Sequence, residues 1–402
     1  MKQWIKNVNL EREFIYENEN IVGTKTETFC ICIENGNIIE IAKNIPEDTE
    51  FVDAKGYLAL PSLRDYHIHL DKGHFGGPWK AVVPADGVEG RIKEEEGFLK
   101  EFLPFQEERA QALIDLITKN GATFLRVQVN VDPVIELEYY KIIKKVLENN
   151  KDKLEYEIVA FPQHGTLKTE SKGLLEKAMI EGCDVVGGLD PATIDKDIEK
   201  SLKTTFDLGK KYDKEIDIHL HNRETLGNFQ IERIIEYTKN YNMEGKVTIS
   251  HALSLGDVNG KTLEDLGRKL SESKIKISTT VPIGTKALNW YKLRKLGVKL
   301  NIVNDNINDH WRPFGTGDMI ERASRGAEKF ALVYEFSLSR ALSTVTGWIT
   351  PLDDKGQVIW PKIGDKADIL FTKAESSAHL IARILPERVV MFNGKIVSGE
   401  FK

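Results

Sequence analysis

The middle of this chain constrains its fold most. From about residue 57 to residue 305, short apolar runs alternate with amphipathic stretches of helical period. Strand candidates cover residues 57–69, 123–131, 156–163, 184–190, 216–221, 247–252, 275–281 and 300–305, and helical patterns at 174–180, 198–211, 231–240 and 263–271 fall between some of them. Asn120-Gly121, Glu181-Gly182 and Leu296-Gly297 supply the glycine-containing turns at which helices stop. A strand followed by a helix must return to a parallel neighbour, and about eight such units close a TIM barrel. An open doubly wound sheet alternates in the same way, but the chain has no G-x-G-x-x-G and no Walker loop. The two chain ends read differently. Residues 28–33 and 37–42 flank Asn35-Gly36, and residues 388–392 and 395–398 flank Asn393-Gly394, two hairpin signals in β-rich stretches. The expected fold is α/β: a (β/α)8 barrel over residues 58–362 with a small β-sandwich domain formed from both ends, 1–57 and 363–402.

Composition narrows the partners. The chain has 402 residues, 41% of them hydrophobic, enough for a large core with an appended domain. Its net charge is −6 with both signs interspersed, so there is no basic face for nucleic acid. No run reaches the roughly 18 apolar residues of a membrane span, and residues 1–18 are polar, so a cytoplasmic protein is expected. The three cysteines form no disulfide framework, and Cys30 and Cys32 share one strand face as core residues. Oligomeric state is left open.

Five of the nine histidines stand at or beside strand ends. His67 and His69 end the first strand, His219 and His221 the fifth, and His251 the sixth, while Asp305 ends the eighth. Alternation places both members of each H-x-H pair on one face. In a barrel these C-terminal ends converge on one mouth, where active sites sit. Imidazoles and a carboxylate around an open position hold a divalent metal that activates water, and Asp305 could take the proton of that water.

Several segments resemble a known family. Val52-Asp53-Ala54-Lys55-Gly56, Leu60-Pro61 and His67-Ile68-His69-Leu70-Asp71-Lys72 look like the opening of amidohydrolase superfamily proteins. Ala160-Phe161-Pro162-Gln163, Asp184-Val185-Val186-Gly187-Gly188, Ile216-Asp217-Ile218-His219-Leu220-His221 and Thr248-Ile249-Ser250-His251-Ala252 resemble its cytosine deaminase branch, as does Asp305 followed by Trp311, Pro313 and Gly315. The resemblance implies a site for one iron or zinc ion with His67, His69, His219 and Asp305 as ligands; manganese also suits such donors. It implies that His251 orients the reacting group, that Gln163 binds a ring amide and that Trp311 lines the pocket. Binuclear relatives carry a lysine at the end of the fourth strand; here the run is Gly188-Leu189-Asp190-Pro191, which favours a single metal. Asp190 is then a substrate contact, a second-metal ligand or an Asx turn before Pro191.

The pattern also departs from that branch. Asn222 stands where an acidic residue should shuttle a proton to the leaving nitrogen, which leaves Glu224 or His221 for that work. The second strand carries Gln128 and Asn130 where His and Asp are common, Asn306 replaces an Asp that contacts substrate, and Ser62 replaces a glycine. The expected activity is metal-dependent hydrolysis of a C–N bond in a small nitrogen heterocycle, with deamination foremost. Ring-opening amide hydrolysis and a metal-binding barrel without turnover are the alternatives. The segments 75–79 and 313–317 are expected to wall or cover the pocket.

Overall fold

The computed structural model describes residues 2–402. Eight parallel strands pair in chain order: β1 (Leu63–His69), β2 (Ala122–Asn130), β3 (Glu155–Phe161), β4 (Val185–Leu189), β5 (Glu215–His219), β6 (Val247–Ser250), β7 (Lys276–Thr279) and β8 (Leu300–Ile302). The end of the path returns to its start. The Asp305 N–H donates to the His67 carbonyl at 2.9 Å, and the His69 N–H donates to the Asp305 carbonyl at 3.2 Å. The sheet is therefore closed as a barrel, and the closing stitch lies at the mouth.

Helices lie outside. In the helix Gln106–Lys119, the residues Ala110, Leu113, Ile114 and Ile117 recur at three- and four-residue spacing and are fully buried. That stripe packs toward β2, and each leucine or isoleucine so buried contributes about 1.5–3 kcal/mol of transfer free energy. The helix Ile198–Tyr212 starts at Asp197, whose side chain accepts the Lys200 N–H, and stops at Asp213 in the left-handed conformation.

Both chain ends join in one mainly antiparallel eight-stranded sheet that also takes in Leu58–Pro61. The sheet curls, because its two Asn-Gly hairpins come from opposite ends of the strand order and yet meet. Gly36 has φ +77°, and a Cβ there would lie 1.7 Å from Asn393 Oδ1. Ile5, Ile31, Phe371 and Met391 lie in the separate core it encloses. Cys30 and Cys32 are buried against Trp4, as strand alternation predicts.

One expected strand is two. Residues 57–69 read as one strand, but Leu58–Pro61 pairs antiparallel with Ile369–Thr372, and β1 begins at Leu63 beyond Ser62. Both pieces are buried, so hydropathy alone does not show the break. Between β1 and its outer helix, residues 70–105 form an insertion with a helix at Gly87–Glu96 and a short one at Leu99–Phe102. This insertion covers one side of the mouth.

Candidate active site

Strand alternation and the closing stitch bring the expected residues together. His67, His69 and Asp305 each offer a ligand atom, all within 4.8 Å of one another, and His67, His219 and His251 do the same. Asp305 Oδ1 lies 3.5 Å from His67 Nε2 and 3.6 Å from His69 Nε2. All five side chains are buried. Asp305 (φ +61°) and His251 (φ +69°) adopt the left-handed backbone that residues with a Cβ avoid, which is how each side chain turns inward past its strand end.

Unsatisfied nitrogens identify what the cluster suits. Among the described residues, His67 Nε2 and both ring nitrogens of His219 are buried without a hydrogen-bond partner. Such orphans are costly unless something accepts their lone pairs. His67 is oriented for that purpose: its Nδ1 lies 2.8 Å from Ser250 Oγ, which donates to Asp217 Oδ1 at 2.6 Å. Ser250 must therefore accept from Nδ1–H, leaving a lone pair on Nε2. The donor set of imidazoles and one carboxylate fits a divalent ion of the zinc or iron type.

The electrostatics agree with this geometry. Burial raises the Asp305 carboxyl, but the imidazoles of His251, His67 and His69 outweigh it and hold the group well below the usual carboxylate range. Burial and neighbouring imidazoles push His219 and His251 well below the ordinary histidine value, so both are neutral and able to ligate. His221 moves the other way: burial lowers it, and Asp190 more than compensates.

A cavity of about 260 Å³ opens over this cluster. His69, His219, His251 and Asp305 form its floor, and Gln163, His221, Asn306 and Trp311 stand around it. Among the described residues the Trp311 indole N–H is buried without a partner. Asn306 donates to Asp309 Oδ2 at 2.5 Å, which fixes its amide.

Three expectations change. Asp190 does not face the cavity: Oδ1 accepts the His221 N–H and Oδ2 the His221 Nδ1, each at 2.7 Å, so it orients that ring. Glu224 is exposed at the first turn of the helix Glu224–Asn240 and is absent from the cavity lining. Asn222 is used in the loop, donating to Thr193 Oγ1 and accepting from Gln230 Nε2. Residues 75–79 line a neighbouring depression instead, and Val88 of the insertion helix walls the cavity.

Lys72 and Glu95 carry a part of the site to which sequence reasoning assigned no role. Lys72 Nζ, buried, donates to Glu95 Oε1 at 2.5 Å, Asn130 Oδ1 at 2.7 Å and Gln163 Oε1 at 2.9 Å. Burial raises the Glu95 carboxyl, but Lys72 and His310 pull it well below its ordinary value. With Oε1 of Gln163 taken, its NH2 group remains to donate into the cavity. Lys72 lies three residues beyond the H-x-H pair, a signal that could have been followed. Glu95 stands in an insertion with no motif around it.

The match to known proteins agrees with the fold and the site. The chain belongs to the amidohydrolase family, whose model matches residues 106–397. It is 40% identical to the uncharacterized protein YahJ of Escherichia coli over 98% of this chain and 87% of that one. It is 29% identical to N-isopropylammelide isopropyl amidohydrolase of a Pseudomonas species, over 94% of this chain and 95% of that protein. The solved structure of N-isopropylammelide isopropylaminohydrolase from Burkholderia multivorans superposes with a TM-score of 0.87 at 28% identity, covering 100% of this chain and 99% of that one. No helix among the described residues is long and apolar enough to cross a membrane.

Proposed function

We propose that this amidohydrolase cleaves an exocyclic C–N bond of a small nitrogen heterocycle and releases ammonia or an amine. The observation that carries the reading is the buried His67–His69–His219–Asp305 cluster, with orphaned ring nitrogens, under a cavity holding Gln163 and His221. The relatives named for N-isopropylammelide hydrolysis support the substrate class.

His67, His69, His219 and Asp305 would hold one divalent ion, zinc or iron, with manganese also suited to the donors. When bound, such an ion supplies the Lewis acidity that lets water attack at neutral pH. Asp305, ionised, takes a proton from the attacking water on its carboxylate. His251 stacks on His221 with ring centroids 4.3 Å apart, which restrains both rings beside the reacting carbon. Gln163 donates its NH2 to a ring carbonyl, and Lys72 prevents that amide from flipping. His221 keeps Nδ1 on Asp190, so Nε2 is the atom left to pass a proton to the departing nitrogen. In balance, one water enters, a C–O bond forms, the C–N bond breaks, and the amine leaves with the proton.

The test is amine and ammonia release from a panel of amino- and alkylamino-substituted pyrimidines, pterins and triazines by zinc-, iron- and manganese-loaded protein. Metal-dependent release, abolished in His219→Ala and Asp305→Asn variants that keep native circular dichroism, is expected. Ring-opened products without amine would instead indicate cyclic amide hydrolysis. Bound metal with no product from any compound would favour a silent binder.

A further inference from the structure

The catalytic cavity does not end at Trp311. A second groove of about 450 Å³ adjoins it, and the two share Asn306, Trp311 and Arg312 in their walls. We propose that the substrate carries an acidic group beyond its heterocycle and that Arg312 receives this group where the cavity meets the groove. This deepens the reading above and rests on it for the placement of the ring.

Charge balance supports the assignment. The Lys72 cation is matched by Glu95 inside the cavity wall. In the groove, Arg325 is paired with Glu321, and Arg322 is turned inward to the Asn304 side chain. Arg312 is anchored by its backbone N–H on Asp309 Oδ1 at 2.9 Å. Among the described residues its guanidinium has no carboxylate within 4.0 Å. The charge at the junction is thus left to a ligand, and a guanidinium offers a carboxylate two parallel N–H donors. The groove wall that Arg312 shares is apolar beside it: Ile283 is 72% exposed and Phe314 73% exposed, both lining the same groove. Exposed large apolar side chains grouped beside a cavity mark a surface that a ligand covers. The substrate class is therefore an aminoheterocycle whose substituent combines a short apolar spacer with a carboxylate.

Two probes separate this from the catalytic reading: a dihydroxytriazine bearing an isopropylamino group, and its counterpart bearing a carboxyethylamino group. Zinc-loaded protein is assayed for kcat/KM where amine is released and for Kd by calorimetry where it is not. The acidic probe is expected to be favoured about 10-fold at low ionic strength, and less as salt rises. The preference should vanish in Arg312→Gln and persist in part in Arg312→Lys. Equal values for the two probes, a preference for the isopropyl compound, a preference retained in Arg312→Gln, or failure of both to bind or react would overturn the proposal. An acid preference in Kd without amine release would leave the subsite standing and count against the hydrolytic reading. Amine release without preference would do the reverse.

Discussion

His67 owes its orientation to a relay that starts well below the mouth. Arg126, buried in β2, has Nη1 3.8 Å from Asp217 Oδ2, and Asp217 accepts from Ser250, which accepts from His67. The serine thus fixes both the tautomer and the direction of the ring. Ser250→Ala is expected to weaken metal affinity about 10- to 100-fold, as loss of such outer partners typically does. Competition with a chromogenic chelator measures it, and unchanged affinity would remove Ser250 from the relay. At this scale the histidines and Asp305 were legible, because alternation along a strand is a local rule. Asp217 was legible by the same rule, two residues before His219 on the same face, but nothing local says that Ser250 from the next strand would meet it. The pairing of Asp190 with His221 was not legible, because a carboxylate before proline gives no hint that its partner sits on another strand.

At the scale of elements, the junction of β3 and β4 sets the position of Gln163. A Cβ on Gly187 would lie 2.4 Å from the Ala160 carbonyl oxygen and 2.9 Å from Pro162 Cδ, so only glycine lets β4 lie against the end of β3. Gly187→Ala is expected to cost about 1–3 kcal/mol by overpacking. Urea unfolding reads that cost, and a loss of activity with metal content retained would show Gln163 displaced. The same scale explains why Glu224 lies outside the cavity lining. The helical pattern was visible from residue 231, but the helix begins at Glu224. Leu226 and Phe229 near its start are exposed, and the buried apolar stripe that reveals a helix begins only at Ile231. The helix start holds Glu224 at the surface, where it is exposed.

Across the whole molecule, closure of the barrel and assembly of the site are one event, since the Asp305 backbone stitches the last strand segment to β1 and its side chain faces the histidines of β1. The core between barrel and helices is apolar and includes none of the candidate ligands. Stripping metal is therefore expected to leave far-UV circular dichroism intact while removing the stabilisation that binding adds. That stabilisation is about 4 kcal/mol when free metal exceeds Kd a thousandfold. Urea curves with chelator and with added zinc check it, and coincident curves would mean that no tight site exists. The sequence by itself determined the barrel, the β-rich ends and the histidine–aspartate set, because period, turn chemistry and strand-end placement are properties of neighbouring residues. Only the tertiary structure decided that Lys72 and Glu95 brace Gln163, that Asp190 serves His221 and that, among the described residues, no carboxylate lies within 4.0 Å of the Arg312 guanidinium. Those facts depend on which insertions and strand ends meet across the mouth, and contact between residues distant in the chain leaves no periodic trace in it.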